Sequence, residues 1–130
     1  MGTVPDEAAR LVTSEPLMAH LATCRGGRPH VAPVWYVYDE SDAVVELVTT
    51  GRKLANVREN PRVALSIQKD VEGRAQWMVS MLGTATVVDD DDATRDATRR
   101  INEKYGASES AWSENVLVRV AIGSASFRTY

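Results

Sequence analysis

Between residues 75 and 89, Trp77, Val79, Met81, Gly83, Ala85 and Val87 fall at every second position. A period of two places them on one face of a β-strand, and a run this long predicts a central strand of a sheet. Gly83 interrupts the bulky side chains and marks a bend or a close backbone approach. Two other segments alternate in the same way. Val63, Leu65 and Ile67 alternate with Ala64, Ser66 and Gln68, and Val116, Val118, Val120 and Ile122 alternate with Leu117, Arg119 and Ala121. Each reads as a strand with one buried face.

Shorter strands precede them. Residues 18–24 form one, the glycines and proline of residues 25–29 supply a tight turn, and residues 30–38, rich in Val and aromatics, return as the second arm of a hairpin. A polar turn at 39–42 leads to a third strand at 43–49, and residues 124–130 form a last strand or edge. Three segments have helical character. Residues 5–13 begin with proline and two acids; residues 52–60 carry Leu54 and Val57 three apart and close at Pro61. Four aspartates at 89–92 precede Ala93, Ala97, Ile101 and Tyr105, and Gly106 ends that pattern. Consecutive aspartates cannot all face one ion, so the run reads as a capped, solvated helix start and not as a metal site. The fold class that follows is mainly β with flanking helices: six to seven mostly antiparallel strands in a small closed or partly closed barrel.

Composition narrows the function. The chain has 130 residues, 44% apolar and 25% charged, as expected of a single domain over residues 1–130. The formal net charge of -3 gives no general attraction to nucleic acid, although a local basic cluster can still capture one anionic ligand. Cys24 is the only cysteine, which rules out an internal disulfide and a multi-cysteine zinc site and suits a reducing, cytoplasmic setting. Asp6 and Glu7 stand where an export signal would carry positive charge, and no apolar run is long enough to cross a bilayer, so neither export nor a membrane partner is expected. His20 and His30 lie on adjoining strands without a carboxylate at matching spacing and read as ordinary strand residues.

The chemistry concentrates in residues 48–67. A strand ends in Thr49 and Thr50, turns at Gly51 and enters a helix through Arg52 and Lys53. Helix-start N–H groups, two hydroxyls and two cations can converge on one phosphate, with Arg offering a fork and Lys a point charge. A second reading has the threonines cap the helix while the cations are solvated. The cations favour the first reading to the extent that they oppose the helix dipole and need an anionic partner.

This stretch closely resembles the corresponding segment of the pyridoxamine 5'-phosphate oxidase superfamily. His20 to Thr23, Gly27 to Pro29, Pro33 to Tyr36 and the Gly83 strand are similar to other strands of that family. The resemblance implies a dimeric split β-barrel that binds FMN or, in related branches, the deazaflavin F420. It also implies that Thr49, Thr50, Arg52 and Lys53 hold the cofactor phosphate and that backbone groups of Pro33, Val34 and Trp35 border the isoalloxazine ring. Pro33 lacks an N–H, so its strand is expected at an edge or bulge, where backbone groups can face a ligand. Trp35 is either a cofactor contact or core.

Residues 31–38 carry no cation, unlike the substrate strand of the vitamin B6 oxidases, and the chain ends at Tyr130 without their Arg- and His-bearing C-terminal segment. Pyridoxine phosphate is therefore not the expected substrate. The resulting expectation is an FMN-binding oxidoreductase that moves hydride through flavin N5 to or from a small molecule. An F420-dependent reductase and a non-catalytic flavin or deazaflavin carrier are the alternatives. No side chain is assigned as acid or base, and no metal is expected. A homodimer with the cofactor at its interface is also implied, and Trp112, in a polar loop, either covers the partner or cofactor or closes its own barrel end.

Overall fold

The computed structural model describes residues 3–130 in the order α1 (Asp6–Val12), β1 (Ala19–Arg25), β2 (Arg28–Val34), β3 (Val37–Asp39), β4 (Val44–Thr49), α2 (Gly51–Glu59), β5 (Arg62–Val71), β6 (Arg74–Val88), α3 (Asp91–Tyr105) and β7 (Val116–Thr129). The seven strands form one sheet ordered β2-β1-β5-β6-β7-β4-β3, and every pair is antiparallel. β6 is central, as its alternation requires: Trp77, Val79, Met81 and Ala85 are buried, and β5 and β7 pair with it on either side.

The segment expected as one strand over 30–38 is two strands, and they stand at opposite ends of the sheet. Only Trp35 and Tyr36 separate them. Three Cα steps reach at most about 11 Å, so the sheet curls until its outer strands nearly meet, which makes a split β-barrel. The break occurs because the Tyr36 backbone is bonded to side chains instead of a ladder. Its N–H donates to the Tyr105 hydroxyl at 3.2 Å, and its carbonyl accepts from Lys104 Nζ at 2.8 Å. The Tyr36 ring is fully buried, and its hydroxyl donates to the Val12 carbonyl at 2.6 Å. Buried backbone groups need partners, and here α3 supplies what a strand neighbour would have supplied.

The end of the chain differs in the other direction. Residues 124–130 are not a separate strand: β7 runs unbroken from Val116 to Thr129 along β6. Its register shifts once, where Leu82 faces Ser124 but Gly83 faces Ile122. A Cβ on Gly83 would lie 2.7 Å from both the Ala121 carbonyl oxygen and Val120 Cγ1, so the irregularity needs a residue without a side chain.

The core lies inside the curl. Leu21 of β1, Leu47 of β4, Leu65 and Ile67 of β5 and Met81 of β6 are its largest fully buried aliphatic side chains. α2 packs on β1 and β6, and Asn56 pins it there, donating from Nδ2 to Thr23 Oγ1 at 2.9 Å inside the core. The acidic run behaves as a solvated helix start: Asp90 Oδ1 accepts from the Ala93 N–H at 3.0 Å, and Gly106 ends α3 at φ 69°. Among the described residues no helix is long and apolar enough to cross a membrane.

Candidate functional site

β2 is an edge strand, as its proline requires, and it ends beside the split. There a cavity of about 370 Å3 opens between the end of β2, the end of β4, the first turn of α2, and α3 with the loop that follows it. Pro33, Val34 and Trp35 form one wall; Thr49, Thr50 and Lys53 form another. Six of the seven residues singled out from sequence are therefore brought together. Arg52 is not among them and lines a separate cleft on the other flank of α2.

The helix start is unusual in what it lacks. Thr50 is the N-cap residue, but no side-chain bond caps α2, and no acid occupies its first turn. The Thr49 hydroxyl is directed at the Thr50 carbonyl, 3.4 Å away, and not at the helix. The capping reading of the two threonines is thus not what the structure adopts. The N–H groups at the start of α2 stay without side-chain acceptors beside Lys53, and an anion is the natural complement.

Trp35 is half-buried. One face of its indole stacks on Tyr105, with ring centroids 4.6 Å apart and planes 5° from parallel, and Trp112 meets it edge-on at 5.6 Å. Trp112 itself lines the cavity, is half exposed, and sits at φ 63°, a left-handed conformation that a bulky residue rarely adopts. Its loop is tied down on both sides. Asn102 Nδ2 donates to the Ala111 carbonyl at 2.8 Å, and Asn115 Nδ2 donates to the Val48 carbonyl at 3.4 Å.

Sequence reasoning did not anticipate Lys104, Tyr105 and Asn115 as supports of this site. The Tyr105 hydroxyl donates to the Leu17 carbonyl at 2.6 Å while accepting from the Tyr36 N–H, so one phenol holds both chain segments that flank β1 and β2. Lys104 Nζ lies 3.8 Å from the centroid of the Tyr36 ring. Burial pulls the Lys104 ammonium down to about 8 and pushes the Tyr105 phenol up to about 12. Nothing in the sequence around Gly106 distinguishes these two from ordinary last-turn residues of a helix.

The cavity suits a flavin-type ring with a phosphate tail. Its volume falls in the range of small-molecule sites, roughly 300–1,000 Å3. Its walls are apolar and aromatic at one end and hydroxyl-bearing and cationic at the other, matching a planar ring and a terminal anion. Among the described residues no group of three His, Cys, Asp or Glu side chains is placed to hold a metal.

Known proteins are similar to this chain in sequence and in fold. An F420H(2)-dependent biliverdin reductase from Mycobacterium tuberculosis is 36% identical over 93 residues, which is 71% of this chain and 66%, just under two thirds, of that protein. A FAD-binding protein from Mesorhizobium loti superposes with a TM-score of 0.76 at 26% identity, over 95% of this chain and 93% of the other. A structure described as an F420 reductase gives a TM-score of 0.75 at 25% identity, over 90% and 94%. The pyridoxamine 5'-phosphate oxidase family matches residues 4–127, and the chain belongs to it.

Proposed function

We propose that this chain is an oxidoreductase that holds a flavin-type cofactor, FMN or the deazaflavin F420, in the cavity at the barrel split. The observation that carries the reading is the meeting, in one cavity, of the apolar β2 wall of Pro33, Val34 and Trp35 with the uncapped, cationic start of α2 at Thr50 and Lys53. Lys53 and the Thr49 and Thr50 hydroxyls hold the phosphate, and the end of β2 borders the ring. When bound, the cofactor would supply hydride transfer, at N5 of a flavin or at C5, the carbon that replaces it in the deazaflavin. The protein binds and orients it and limits water through the Trp35 and Trp112 rings. The biliverdin reductase relative supports the reductase direction and the deazaflavin form.

The chain is further proposed to work as a homodimer with a small-molecule substrate. On the sheet face that carries Val31, the cross-strand row Val31, Ala22, Ala64, Leu82 leaves Val31 63% and Leu82 59% exposed with only alanines between them. Such a flat apolar row is suited to burial against a second copy.

Titration with FMN and F420, followed by cofactor fluorescence, tests the site. Tight binding that Lys53→Ala weakens at least about tenfold is expected. Binding unchanged in that variant would place the phosphate elsewhere. Reduced cofactor that is never reoxidised by any acceptor would leave a carrier and not an enzyme. Light scattering should give the mass of two chains.

A further inference from the structure

A smaller cavity of about 270 Å3 lies between the segment that links α1 to β1, the strand β3 and the last turn of α3, and it shares no lining residue with the cavity at the split. Among the described residues Lys104 is its one cation, and the other ionisable groups on its walls are Glu15 and Tyr38. Glu15 is already held by Lys69 at 2.5 Å, and among the described residues Lys104 is in no ion pair. The hydroxyls on the same wall are committed as donors. Thr13 Oγ1 donates to the Ala9 carbonyl at 2.8 Å and Ser14 Oγ to the Leu11 carbonyl at 2.6 Å. Pro16 and Val37 add apolar surface.

The Lys104 nitrogen has a carbonyl and two aromatic rings beside it instead of a carboxylate. It donates to the Tyr36 carbonyl at 2.8 Å and lies 3.8 Å and 5.1 Å from the centroids of the Tyr36 and Tyr105 rings. These contacts ease the loss of water around an ammonium, but none carries the opposite charge. Burial prevails and brings the folded pKa down to about 8. At pH 8 about half of the folded molecules therefore present a neutral amine, against about 0.3% for a lysine at its ordinary 10.5. A neutral amine is a nucleophile, and the Tyr36 carbonyl needs only one of its N–H groups.

The surroundings also restrict what this amine can become. A carbamate formed with carbon dioxide would place a negative charge beside Glu15 with no other cation on the walls. An imine formed with an aldehyde would have no N–H, and the Tyr36 carbonyl, which has left the sheet, would lose its donor. An amide meets both conditions, since it is neutral and keeps one N–H.

We propose that Lys104 is an acylation site of this chain: its amine takes a small acyl group from an activated donor, an acyl phosphate or a thioester, and the acyl group occupies the cavity against Pro16 and Val37. The nitrogen attacks the acyl carbon. A C–N bond forms as the C–O bond to phosphate or the C–S bond to the thiol breaks, and one proton leaves the nitrogen. The modification removes the buried charge and leaves the hydrogen bond to Tyr36 in place.

The chain has three lysines, at 53, 69 and 104, and peptide mass spectrometry follows each of them. The full chain is treated at pH 8 with acetyl phosphate and, separately, with S-acetyl-N-acetylcysteamine, both folded and in guanidinium chloride. Lys104 is expected to acetylate at least about tenfold faster in the folded chain than in the unfolded one, the gain in free amine less a loss for restricted access. Simple exposure cannot produce that order. The advantage should shrink towards pH 10.5, where the unfolded amine is half neutral as well. Lys69, whose ammonium holds Glu15, should gain nothing from folding, and an equal gain there would overturn the assignment to Lys104. Reaction with one donor alone supports the site and identifies its source. A folded rate at Lys104 equal to or below the unfolded rate with both donors overturns the proposal. The acetylated chain should melt no lower than the unmodified chain at pH 7, and a lower melting temperature would overturn the fit of the acyl group in the cavity.

Discussion

Trp35 and Tyr105 stack nearly parallel across the barrel split, one from the link between β2 and β3 and the other from the last turn of α3. The Tyr105 hydroxyl is bonded at the same time to the Leu17 carbonyl and the Tyr36 N–H. One residue thus fixes the ring that walls the cavity and the backbone that leaves the sheet. Tyr105→Phe keeps the stack and strands the Tyr36 N–H, an expected loss of about 1–2 kcal/mol in urea unfolding. Tyr105→Ala also releases the indole. It is expected to lose about 2–3 kcal/mol, near the bottom of the range for buried aromatics because the ring is partly exposed, and to weaken cofactor binding as well. If both variants bind cofactor like the wild type, the stack does not shape the site.

Lys104 gives the fold a dependence on alkaline pH. Its ammonium is held against the Tyr36 ring and carbonyl, and burial lowers its folded value to about 8 from an ordinary 10.5. Between those two values the unfolded chain holds a proton that the folded chain has released, so stability rises with pH through that window. Below about 8 the folded state carries the full desolvation penalty. Lys104→Met is expected to flatten this rise when thermal melts are compared from pH 7 to about pH 10. An equally steep rise in the variant would assign the effect to another group.

The elements of this fold were legible wherever one face is buried and the other is wet. The alternations through Val63 and through Trp77 reappear as β5 and β6, and Pro33 marks the edge strand it was expected to mark. The run over 30–38 misled because Tyr36 has the same β-propensity as its neighbours, while its departure from the sheet is caused by Tyr105 and Lys104, almost seventy residues away. Local composition carries no trace of such a contact. The cavity was legible in part for the same reason. Thr49, Thr50 and Lys53 sit on one strand-to-helix turn, whereas the supports from α3 and its loop reach the site only through tertiary packing. The direction of Arg52, away from the cavity, is a matter of helix phase, since adjacent residues on a helix point about 100° apart.

Gly83 is expected to tolerate no side chain. An added methyl would meet the Ala121 carbonyl at 2.7 Å, a backbone atom fixed between two strands and unable to yield as a flexible side chain would. Gly83→Ala should therefore destabilise by about 1–3 kcal/mol, the range for overpacking, with cofactor affinity unchanged because Gly83 lines neither cleft. Equilibrium urea unfolding checks the first part. A neutral substitution would mean that the shift in register at Leu82 can relax.

Glu46 is the buried charge on which α3 depends. On β4, with its side chain only 10% exposed, it accepts from Arg100 Nη1 at 2.7 Å and from Arg119 Nε at 2.8 Å, which ties α3 and β7 to the same strand. Burial alone would raise its pKa, but the hydrogen bonds and charges of the two guanidiniums outweigh that effect and hold the carboxyl below its ordinary 4.5. Its stabilising contribution is therefore complete at neutral pH and disappears as pH falls through the lowered folded value. Glu46→Gln keeps the shape, removes the charge and leaves two guanidiniums facing a neutral amide. Because both arginines keep contact with water, the expected loss at pH 7 is about 1–3 kcal/mol, less than for breaking a fully buried pair. The gap between wild type and variant should narrow as pH falls from 7 through the lowered folded value, where the wild-type carboxyl also becomes neutral. A series of urea unfolding curves from pH 7 downwards checks this, and a gap that stays constant would mean that packing, not charge, is what Glu46 contributes.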